Sequence, residues 1–348
     1  MSFLVINAGS TSLKYALFKK GEELGRGDFE IVAGNYEKAI KQLLRNLDNL
    51  QDITAVGHRV VHGGYKFIKP TLISDDVISS IEEFNELAPL HNPHNLACIK
   101  IVREYLPDVP HVAVFDTAFF SDLPQPAKIY ALPKEITEKY KIYRYGFHGT
   151  SHKYVLEESA KLLKTEINKM NLISCHLGGG WSITAVKNGQ PIDTSMGLTP
   201  LEGLVMMTRA GDIDPGIIFK LLEEMPGEIN KEKVAGIYDL LNKQSGIKGL
   251  SGVNDFQELL KLVSLGDREA NLAFDLSVNR LAKYIGAYWA ELEGQAQAIV
   301  FTGAIGAGNP MTRNRVMKKI KCLGELPMLA VKADEELMIA REVKQLIR

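Results

Sequence analysis

Histidine is the residue type in this chain whose spacing first suggests chemistry. All eight histidines fall between residues 58 and 176, and six of them form close pairs: His58 and His62, His91 and His94, His148 and His152. Two histidines four residues apart on a helix can bind zinc. However, neither pair with this spacing includes the glutamate of the HExxH motif, and glycines in GHRVVHGG and GFHGTSH interrupt a helical face. We therefore interpret these histidines as parts of polar active-site loops rather than as a zinc site.

Five other polar residues are placed where they could act on an anion or a metal. Arg59 lies within the apolar segment VGHRVVHGG, so it should face either a protein carboxylate or a substrate anion. Arg209 precedes the turn-rich AGDIDP, which suits either contact with a phosphate or a solvated loop. Asp116 follows VAVF, where α/β sheets present functional groups, and either holds a metal or water or caps the next helix. The role of Asn7, at the end of the first apolar segment, is ambiguous in the same way. Glu335 could simply be an acidic residue of the kind favoured in the first turn of a helix.

Glycine-rich segments follow three apolar stretches. Gly9 follows LVIN, Gly178–Gly180 follows LISC, and Gly303–Gly308 follows AIVF. Glycine turns allow backbone N–H groups to approach and bind phosphate oxygens. None of the three matches the P-loop GxxxxGK[ST] or a well-placed GxGxxG, which disfavours the common nucleotide-binding folds. Three such turns at strand ends favour phosphate binding over ordinary tight turns.

The elements that must position these residues alternate between strands and helices, which predicts an α/β fold. Strands are expected in LVIN and LKYALF of Phe3–Phe18, and over Gly25–Ile31, Ile53–Val61 and His111–Phe115. Helices are expected over Tyr36–Leu50, Val77–Leu87, Asn95–Tyr105 and Asp334–Arg348.

A weak internal repeat suggests two domains of like topology. The segment Leu172–Gly189 has the same order of features as Leu4–Gly21: a strand, a glycine turn, a second strand and a Lys-x-Gly turn. The alternative is a chance similarity between two β-hairpins. A length of 348 residues also suggests about two domains, and SDLPQP at 121–126 interrupts the pattern between them.

Composition excludes several classes of protein. The formal net charge is −1, which argues against a protein that binds the nucleic-acid backbone. No apolar run approaches the ~18–20 residues of a membrane span, and MSFLVINAGS does not resemble a secretory signal. The three cysteines, Cys98, Cys175 and Cys322, lie far apart, which argues against a disulfide scaffold. We expect a cytoplasmic enzyme that acts on small molecules, without nucleic-acid or membrane partners.

Ten segments of the chain, taken together, resemble the acetate kinase family of the acetate and sugar kinase/Hsp70/actin superfamily. In chain order they read VINAGSTSLKYALF, GHRVVHGG, LAPLHNP, VAVFDTAF, YGFHGTSHKYV, CHLGGGWSITAV, DTSMGLTPLEGL, RAGDIDPG, VFTGAIG and DEELMIARE. The resemblance implies two duplicated ribonuclease-H-like domains, as in the actin-like ATPases, around a nucleotide cleft. The expected domains are an N-terminal one of residues 1–120 plus 336–348 and a C-terminal nucleotide-binding one of residues 121–335.

The resemblance also implies a reaction and a set of partners. ATP would donate a phosphoryl group directly and in line to the carboxylate of acetate, giving acetyl phosphate and ADP. Magnesium would assist, with manganese as an alternative, and the protein would be a homodimer. Alternatives are propionate or another short-chain acid as acceptor, pyrophosphate or another nucleotide as donor, a non-catalytic nucleotide sensor, and a metallohydrolase.

The family's residue roles fall on positions of this chain as follows. Catalytic roles fall on Asp116, His148 and Arg209. The substrate would contact Arg59, Val61, Leu90, His91, Phe147 and Pro200. The metal would lie at Asn7 and Glu335. The nucleotide would contact Lys14, His176, Leu177, Gly178, Gly179, Gly180, Asp255, Phe256, Gln257, Gly303, Ala304, Ile305, Gly306 and Ala307.

Three departures from the family pattern lie on the nucleotide side. HLGGGWS replaces HLGNGGS, which is expected to put Gly179 and the bulky Trp181 in the phosphate turn. GAIGAG lacks the glutamate of GGIGEN, and Gln257 stands where an arginine is common. The carboxylate side is intact, so the sequence specifies the acyl substrate class more firmly than the phosphoryl donor.

Overall fold

The strands form two separate sheets. The computed structural model describes residues 1–9, 12–31, 35–47 and 50–348. The first sheet contains β1 (Ser2–Ala8), β2 (Ser12–Lys19), β3 (Glu22–Glu30), β4 (Ala55–Val60), β5 (Thr71–Leu72) and β6 (His111–Phe115). The second contains β7 (Leu172–Leu177), β8 (Trp181–Lys187), β9 (Gln190–Thr194), β10 (Ala298–Thr302) and β11 (Met328–Ala330).

Helices connect and cover these sheets. In chain order they are α1 (Tyr36–Asn46), α2 (Asp75–Glu82), α3 (Asn92–Tyr105), α4 (Gln125–Lys128), α5 (Lys134–Tyr140), α6 (Gly149–Leu162), α7 (Gly216–Glu224), α8 (Lys231–Lys243), α9 (Gly246–Ser251), α10 (Phe256–Ser264), α11 (Arg268–Glu291), α12 (Gly303–Gly308), α13 (Pro310–Lys319) and α14 (Glu335–Leu346). None of the helices in the described part of the chain combines the length and apolar character that crossing a bilayer requires.

The two sheets share one five-stranded topology, to which the first sheet adds β5, antiparallel to β6 at its edge. The first has the strand order β3-β2-β1-β4-β6-β5, and the second has the order β11-β10-β7-β8-β9. In each, three antiparallel strands come first and two parallel strands follow on the other side of the first strand. The repeat in the sequence therefore reflects a repeated fold unit, and the α/β expectation is confirmed.

Helix boundaries follow local capping signals more closely than apolar spacing alone. The predicted helix Val77–Leu87 begins earlier, because the side chain of Ser74 accepts a hydrogen bond from the N–H of Val77, and it ends at Glu82. The helix predicted to start at Asn95 starts three residues earlier, with Pro93 in its first turn. The helix predicted over Tyr36–Leu50 ends at Asn46, and residues 48 and 49 lie outside the described residues.

The last helix, α14, packs on the first sheet. Ile339, Ala340 and Val343 form one buried cluster with strand residues that include Phe3 and Val5. The approach is close, because a Cβ on Gly57 would lie 2.7 Å from Val343 and 2.8 Å from Ile339. The chain thus returns to the first sheet after completing the second, which agrees with the proposed assignment of residues 336–348; the domain boundaries themselves remain a prediction.

Candidate active site

Four charged or amide side chains meet at the carboxyl ends of β1, β4 and β6 and the start of α14. Nε of Arg59 donates to both carboxylate oxygens of Asp116 at 3.1 and 3.2 Å, and Nη2 donates to one of them at 2.6 Å. Nη1 of Arg59 donates to the amide oxygen of Asn7 at 3.1 Å. The amide nitrogen of Asn7 donates to Glu335 at 3.2 Å. Parallel strands bring their carboxyl ends to one edge of a sheet, which is why residues so distant in sequence meet here.

The charges in this cluster stabilise one another. Burial disfavours the charged form of Arg59, but the carboxylates of Asp116 and Glu335 outweigh it and raise the pKa of the guanidinium. Burial likewise disfavours ionised Glu335, but the charge of Arg59, together with smaller contributions from His176, Lys14 and the hydrogen bond from Asn7, outweighs burial and lowers the pKa of that carboxyl. Of the two partners that the sequence left open for Arg59, a protein carboxylate is present.

Arg209, by contrast, has no anionic partner among the residues that the structure describes. Its Nη1 donates to the carbonyl of Pro200 at 3.3 Å and lies 3.8 Å from the sulfur of Met206. Within the described ranges, no carboxylate is at ion-pair distance from this partly buried guanidinium. Burial lowers its pKa. A buried cation without a counter-ion is costly, so this position favours an anionic ligand.

His148 lies immediately before α6. Its φ of +57° is left-handed, and the helix begins at the next residue, so the glycine of GFHGTSH does not break the helix as the sequence suggested. A Cβ on Gly149 would lie only 2.0 Å from the carbonyl oxygen of Asp116, which explains the glycine. The His148 ring stacks on His176 with centroids 4.2 Å apart. Burial holds the pKa of His148 well below its usual value, so the ring is neutral.

A small cavity lies next to Arg209. Its walls include Leu90, His91, Pro200 and Arg209, and Ala88 contributes as well. Burial, with the charges of Arg209 and Arg59, lowers the pKa of His91 to about 3. Two further predicted pocket residues, Val61 and Phe147, are buried in the same apolar cluster as Ala88. The structure therefore brings three of the predicted substrate residues, Leu90, His91 and Pro200, to one cavity with Arg209.

The turn between β7 and β8 faces His148 and Arg209. The N–H of Gly178 donates to the carbonyl of Gly180 at 3.1 Å, which closes the turn. A Cβ on Gly180 would lie 3.3 Å from both Nε2 of His148 and Nη1 of Arg209. A single space beside Gly180 is thus shared by the neutral imidazole of His148 and the guanidinium of Arg209, for which the described part of the chain provides no carboxylate.

This arrangement predicts that Gly180→Ala impairs activity through lost space rather than lost stability. Gly180 does not have a positive φ, so alanine causes no backbone strain. We expect kcat to fall by about tenfold to a hundredfold, because a misplacement of under 1 Å at reacting groups is costly. The matched control is Gly179→Ala, since a Cβ there meets nothing within 4 Å. Steady-state kinetics of the two variants check this, and equal activity would contradict it.

Trp181 does not lie in the phosphate turn, contrary to the sequence-based expectation. It is the first residue of β8, and its fully buried side chain packs in the core of the second sheet against Phe256. Its indole N–H donates to the carbonyl of Gly178 at 2.9 Å. The tryptophan therefore supports the turn through this hydrogen bond, and its side chain does not fill the turn.

The predicted glycine turn at Gly303–Gly308 is instead helix α12, which follows β10 directly. Gly303 has a φ of +78°, and a Cβ there would lie 2.5 Å from the carbonyl oxygen of Leu177. Glycine is therefore required at this junction because the two strand ends approach closely. Ala304 is exposed, Ile305 and Gly306 are buried, and Ala307 is partly buried.

The other residues predicted on the nucleotide side lie on β2 and at the start of α10. Lys14 is exposed on β2, paired in register with Asn7. Asp255 caps α10 by accepting from the N–H of Glu258, Phe256 points into the core, and Gln257 is exposed. For the turn that follows β1, only Gly9 and Ser12 are described, and Ser10 and Thr11 lie outside the described residues.

Several polar residues at the site were missed by the sequence analysis. Thr150 donates to Asp116 at 2.9 Å, and Glu336 accepts from Asn7 at 2.7 Å. The hydroxyls of Ser151 and Ser182 lie 2.8 Å from His176 and 2.9 Å from His148. Thr150 and Ser151 lie two and three residues after His148 within GFHGTSH, and that proximity was the available signal.

No group of three or more His, Cys, Asp and Glu side chains is arranged to hold a metal ion in the part of the chain that the structure describes. The oxygen atoms of Asn7, Asp116 and Glu335 nevertheless lie in one hydrogen-bonded cluster.

Comparison with known proteins gives consistent matches over the whole chain. The model of the Acetokinase family matches residues 22–345. The acetate kinase of Alkaliphilus metalliredigens (strain QYMF) is 42% identical over 402 aligned residues, covering 100% of both proteins. The structure of a propionate kinase from Francisella tularensis subsp. tularensis SCHU S4 has a TM-score of 0.90 at 37% identity, covering 98% of each chain. That of Porphyromonas gingivalis acetate kinase has a TM-score of 0.88 at 35% identity, covering 100% of each. The fold is thus the actin-like ATPase fold of these kinases.

Proposed function

This chain belongs to the acetokinase family, and we propose that it transfers a phosphoryl group reversibly from ATP to the carboxylate of acetate, giving acetyl phosphate and ADP. The observation that carries the proposal is the space beside Gly180, which Arg209 and His148 share. A guanidinium without a carboxylate partner among the described residues and a neutral imidazole suit a phosphoryl group, whose charge is spread over three equatorial oxygens during transfer.

The reaction is proposed to be a direct in-line transfer. An oxygen of acetate attacks the terminal phosphorus of ATP, and the bond from that phosphorus to the ADP oxygen breaks as the new P–O bond forms. Acetate is already ionised at neutral pH, so no general base is needed. The protein's contribution is to align the reactants and neutralise charge on the equatorial oxygens.

Arg59 is proposed to bind the acetate carboxylate while it remains paired with Asp116. A guanidinium has five N–H groups. Asp116 accepts hydrogen bonds from Nε–H and from one N–H of Nη2, and Asn7 accepts one from an N–H of Nη1. One N–H on each Nη atom is left, and two parallel N–H groups match a carboxylate. The methyl group of acetate would then lie among Val61, Leu90, Phe147 and Pro200.

The oxygens of Asn7, Asp116 and Glu335 fit a magnesium ion. Magnesium prefers oxygen ligands and is held by one or two carboxylates together with substrate phosphates rather than by an all-protein cage. We propose that these residues hold Mg²⁺, with Mn²⁺ as an alternative of similar ligand preference. When bound, the ion would offset negative charge on the phosphate oxygens.

The ATP phosphates are proposed to lie along the turn at Gly178–Gly180. The open space at Gly179 and the buried position of Trp181 support this, because no side chain fills the turn. His176, Lys14 and the start of α12 would flank the phosphates. Asp255 and Gln257 would lie towards the adenosine.

A substrate panel tests the proposed function. Purified protein is assayed with ATP, GTP or pyrophosphate against acetate, propionate or butyrate, and the acyl phosphate is trapped as a hydroxamate. We expect the highest kcat/KM for ATP with acetate, and loss of activity when EDTA removes the metal. A preference for butyrate would refute the assignment of acetate as the acceptor. ATP binding without hydroxamate formation would indicate a non-catalytic sensor.

Propionate is the second candidate acceptor. The Francisella protein of 37% identity is a propionate kinase, and one methylene changes binding by only ~1–3 kcal/mol in a hydrophobic pocket. In the same panel, a kcat/KM for propionate above that for acetate would favour it.

We also propose a homodimer, formed through the surface of α7 and α8 (the α7–α8 surface). Helix α7 has the sequence GIIFKLLEE and buries none of its residues. Phe219 is 64% exposed, Ile229 65% and Val234 53%. Exposed apolar residues grouped in this way mark association surfaces, and a second copy would cover the same patch on both subunits.

Phe219→Glu is expected to convert a dimer into a monomer, because it buries a charge in a self-complementary contact. Size measurement by light scattering checks this. The control is Leu265→Glu, at a residue 73% exposed at the end of α10. A Phe219→Glu protein of unchanged mass would place the interface elsewhere.

A cytoplasmic location is proposed as well. All three cysteines are free, Cys98 and Cys175 in the core and Cys322 at the surface. Thiols persist unpaired in a reducing compartment.

A further inference from the structure

Four polar side chains form one hydrogen-bonded row that ends at His148. The hydroxyl oxygen of Ser174 lies 2.8 Å from Nδ1 of His152, and Nε2 of His152 lies 2.8 Å from the hydroxyl oxygen of Ser182. That oxygen lies 2.9 Å from Nδ1 of His148. Ser174, His152 and Ser182 are fully buried. Because these side chains are shielded from solvent, each hydrogen bond in the row must use a proton that belongs to the row itself.

The number of protons in the row is fixed. Burial holds the pKa of both His148 and His152 well below the usual value, so each ring carries a single N–H at neutral pH. The Ser182 hydroxyl has one proton and an imidazole nitrogen on each side. It can donate to one ring only, so the other ring must donate to it. The row therefore has two possible directions.

Only one direction gives every hydroxyl proton an acceptor. In it, Ser174 donates to His152, His152 donates through Nε2 to Ser182, and Ser182 donates to Nδ1 of His148. In the opposite direction, His152 donates to Ser174, and the proton of Ser174 needs another acceptor. Among the described residues, Ser174 has no second hydrogen-bond partner for its side chain. A buried hydroxyl without an acceptor is unfavourable, so the first direction is preferred.

We propose that Ser182, His152 and Ser174 are positioning residues that hold His148 in the tautomer protonated on Nε2. That nitrogen faces the space beside Gly180 that Nη1 of Arg209 also faces. Protonated there, the neutral ring donates a hydrogen bond to an oxygen of the transferring phosphoryl group. In the other tautomer a lone pair would face the same oxygens and repel them. The identity of this anion rests on the proposed function.

Two contacts keep the His148 ring in this orientation. Its stack on His176 has centroids 4.2 Å apart and planes at 22°, which restricts rotation about the side-chain bonds. Nδ1 of His176 lies 2.8 Å from the Ser151 hydroxyl, which fixes the second ring in turn. The row thus acts on a ring that is already held in place, and it selects which nitrogen carries the proton.

The direct test is nuclear magnetic resonance of protein labelled with ¹⁵N in its histidine rings. The ring nitrogen shifts report which nitrogen carries the proton, and loss of signals in His148→Asn assigns them. We expect Nε2–H in the wild-type protein, without any substitution in the row. A wild-type spectrum with the proton on Nδ1 overturns the proposal.

Variants then connect the tautomer to catalysis. Ser182→Ala removes the donor to Nδ1, so the Nε2–H population should fall and kcat should drop about tenfold to a hundredfold, with KM for acetate and ATP within about threefold. Ser182→Thr keeps the hydroxyl and should restore most of the Nε2–H population and most of kcat. The matched control is Ser159→Ala, at a buried serine of α6 whose hydroxyl has no partner within the described residues. Unchanged tautomer and kcat in Ser182→Ala would refute the role.

These readouts separate the two proposals. An Nε2–H tautomer in a protein that forms no acyl phosphate would contradict the proposed function and leave the tautomer assignment standing. An active enzyme with the Nδ1–H tautomer would contradict the tautomer assignment and leave the proposed function standing.

Discussion

Replacing Arg209 with alanine is expected to lower kcat by about a thousandfold or more, the scale at which an arginine stabilises a transferring phosphoryl group. The guanidinium has no carboxylate partner among the described residues and shares the space beside Gly180 with His148. Its contact strengthens as charge spreads in the transition state, so KM for acetate and ATP should change by less than about tenfold.

The stability of the same variant distinguishes this role from a structural one. Removing a partly buried, unpaired cation should leave the free energy of unfolding unchanged or higher, because its desolvation was not offset by a protein charge. Arg209→Lys keeps the charge without the planar fork, so an intermediate kcat is expected. Arg315→Ala is the control, since Arg315 pairs with Asp275 at the surface. Urea unfolding and initial rates provide both quantities, and a large loss of stability in Arg209→Ala would contradict the assignment.

Replacing Arg59 with alanine should change substrate binding and stability together. A hydrogen bond to a charged group contributes about 1.5–3 kcal/mol, so we expect KM for acetate to rise roughly tenfold to a hundredfold. The same change leaves Asp116 and Glu335 without their cation, and breaking a buried pair by removing one partner costs about 3–5 kcal/mol. Acetate saturation curves and urea unfolding measure the two effects.

A double substitution separates the two effects of Arg59. Arg59→Gln with Asp116→Asn removes the Arg59–Asp116 pair, so the part of the lost stability that comes from an uncompensated Asp116 should return, while Glu335 still lacks its cation. The raised KM for acetate follows from the missing cation and should therefore persist in the double variant, and KM for ATP in Arg59→Ala should change much less. If acetate saturation were unchanged in Arg59→Ala, Arg59 would not be the carboxylate-binding residue.

The sequence was sufficient to predict functional positions for those residues that lie at strand ends. Asn7, Arg59 and Asp116 lie at or near the ends of short apolar segments, and parallel pairing of β1, β4 and β6 brings such ends together. The antiparallel hairpins at the start of each sheet were also predictable, because their turns contain glycine between β-branched and aromatic stretches.

Contacts between distant elements were not predictable in the same way. Trp181 seemed to fill the turn, but the alternation of side chains along β8 directs it into the core with Ile183 and Ala185. Gly303 seemed to be part of a turn, whereas its reason is the close carbonyl of Leu177 on a neighbouring strand. The row from Ser174 to His148 likewise joins β7, α6 and β8, and no local pattern reveals such a row.

The packing of α14 on the first sheet has a consequence for the order in which the chain folds. The strands of that sheet precede residue 116, but the helix that covers them contains Ile339 and Val343. A ribosome adds about 5–20 residues per second, so β1 waits at least roughly 15 s for that cover. During synthesis the second sheet can complete its own core while this surface is still bare, and contacts across such a long separation form slowly. The face of the first sheet that packs on α14 is therefore exposed for most of synthesis, which makes it a site of aggregation in the nascent chain.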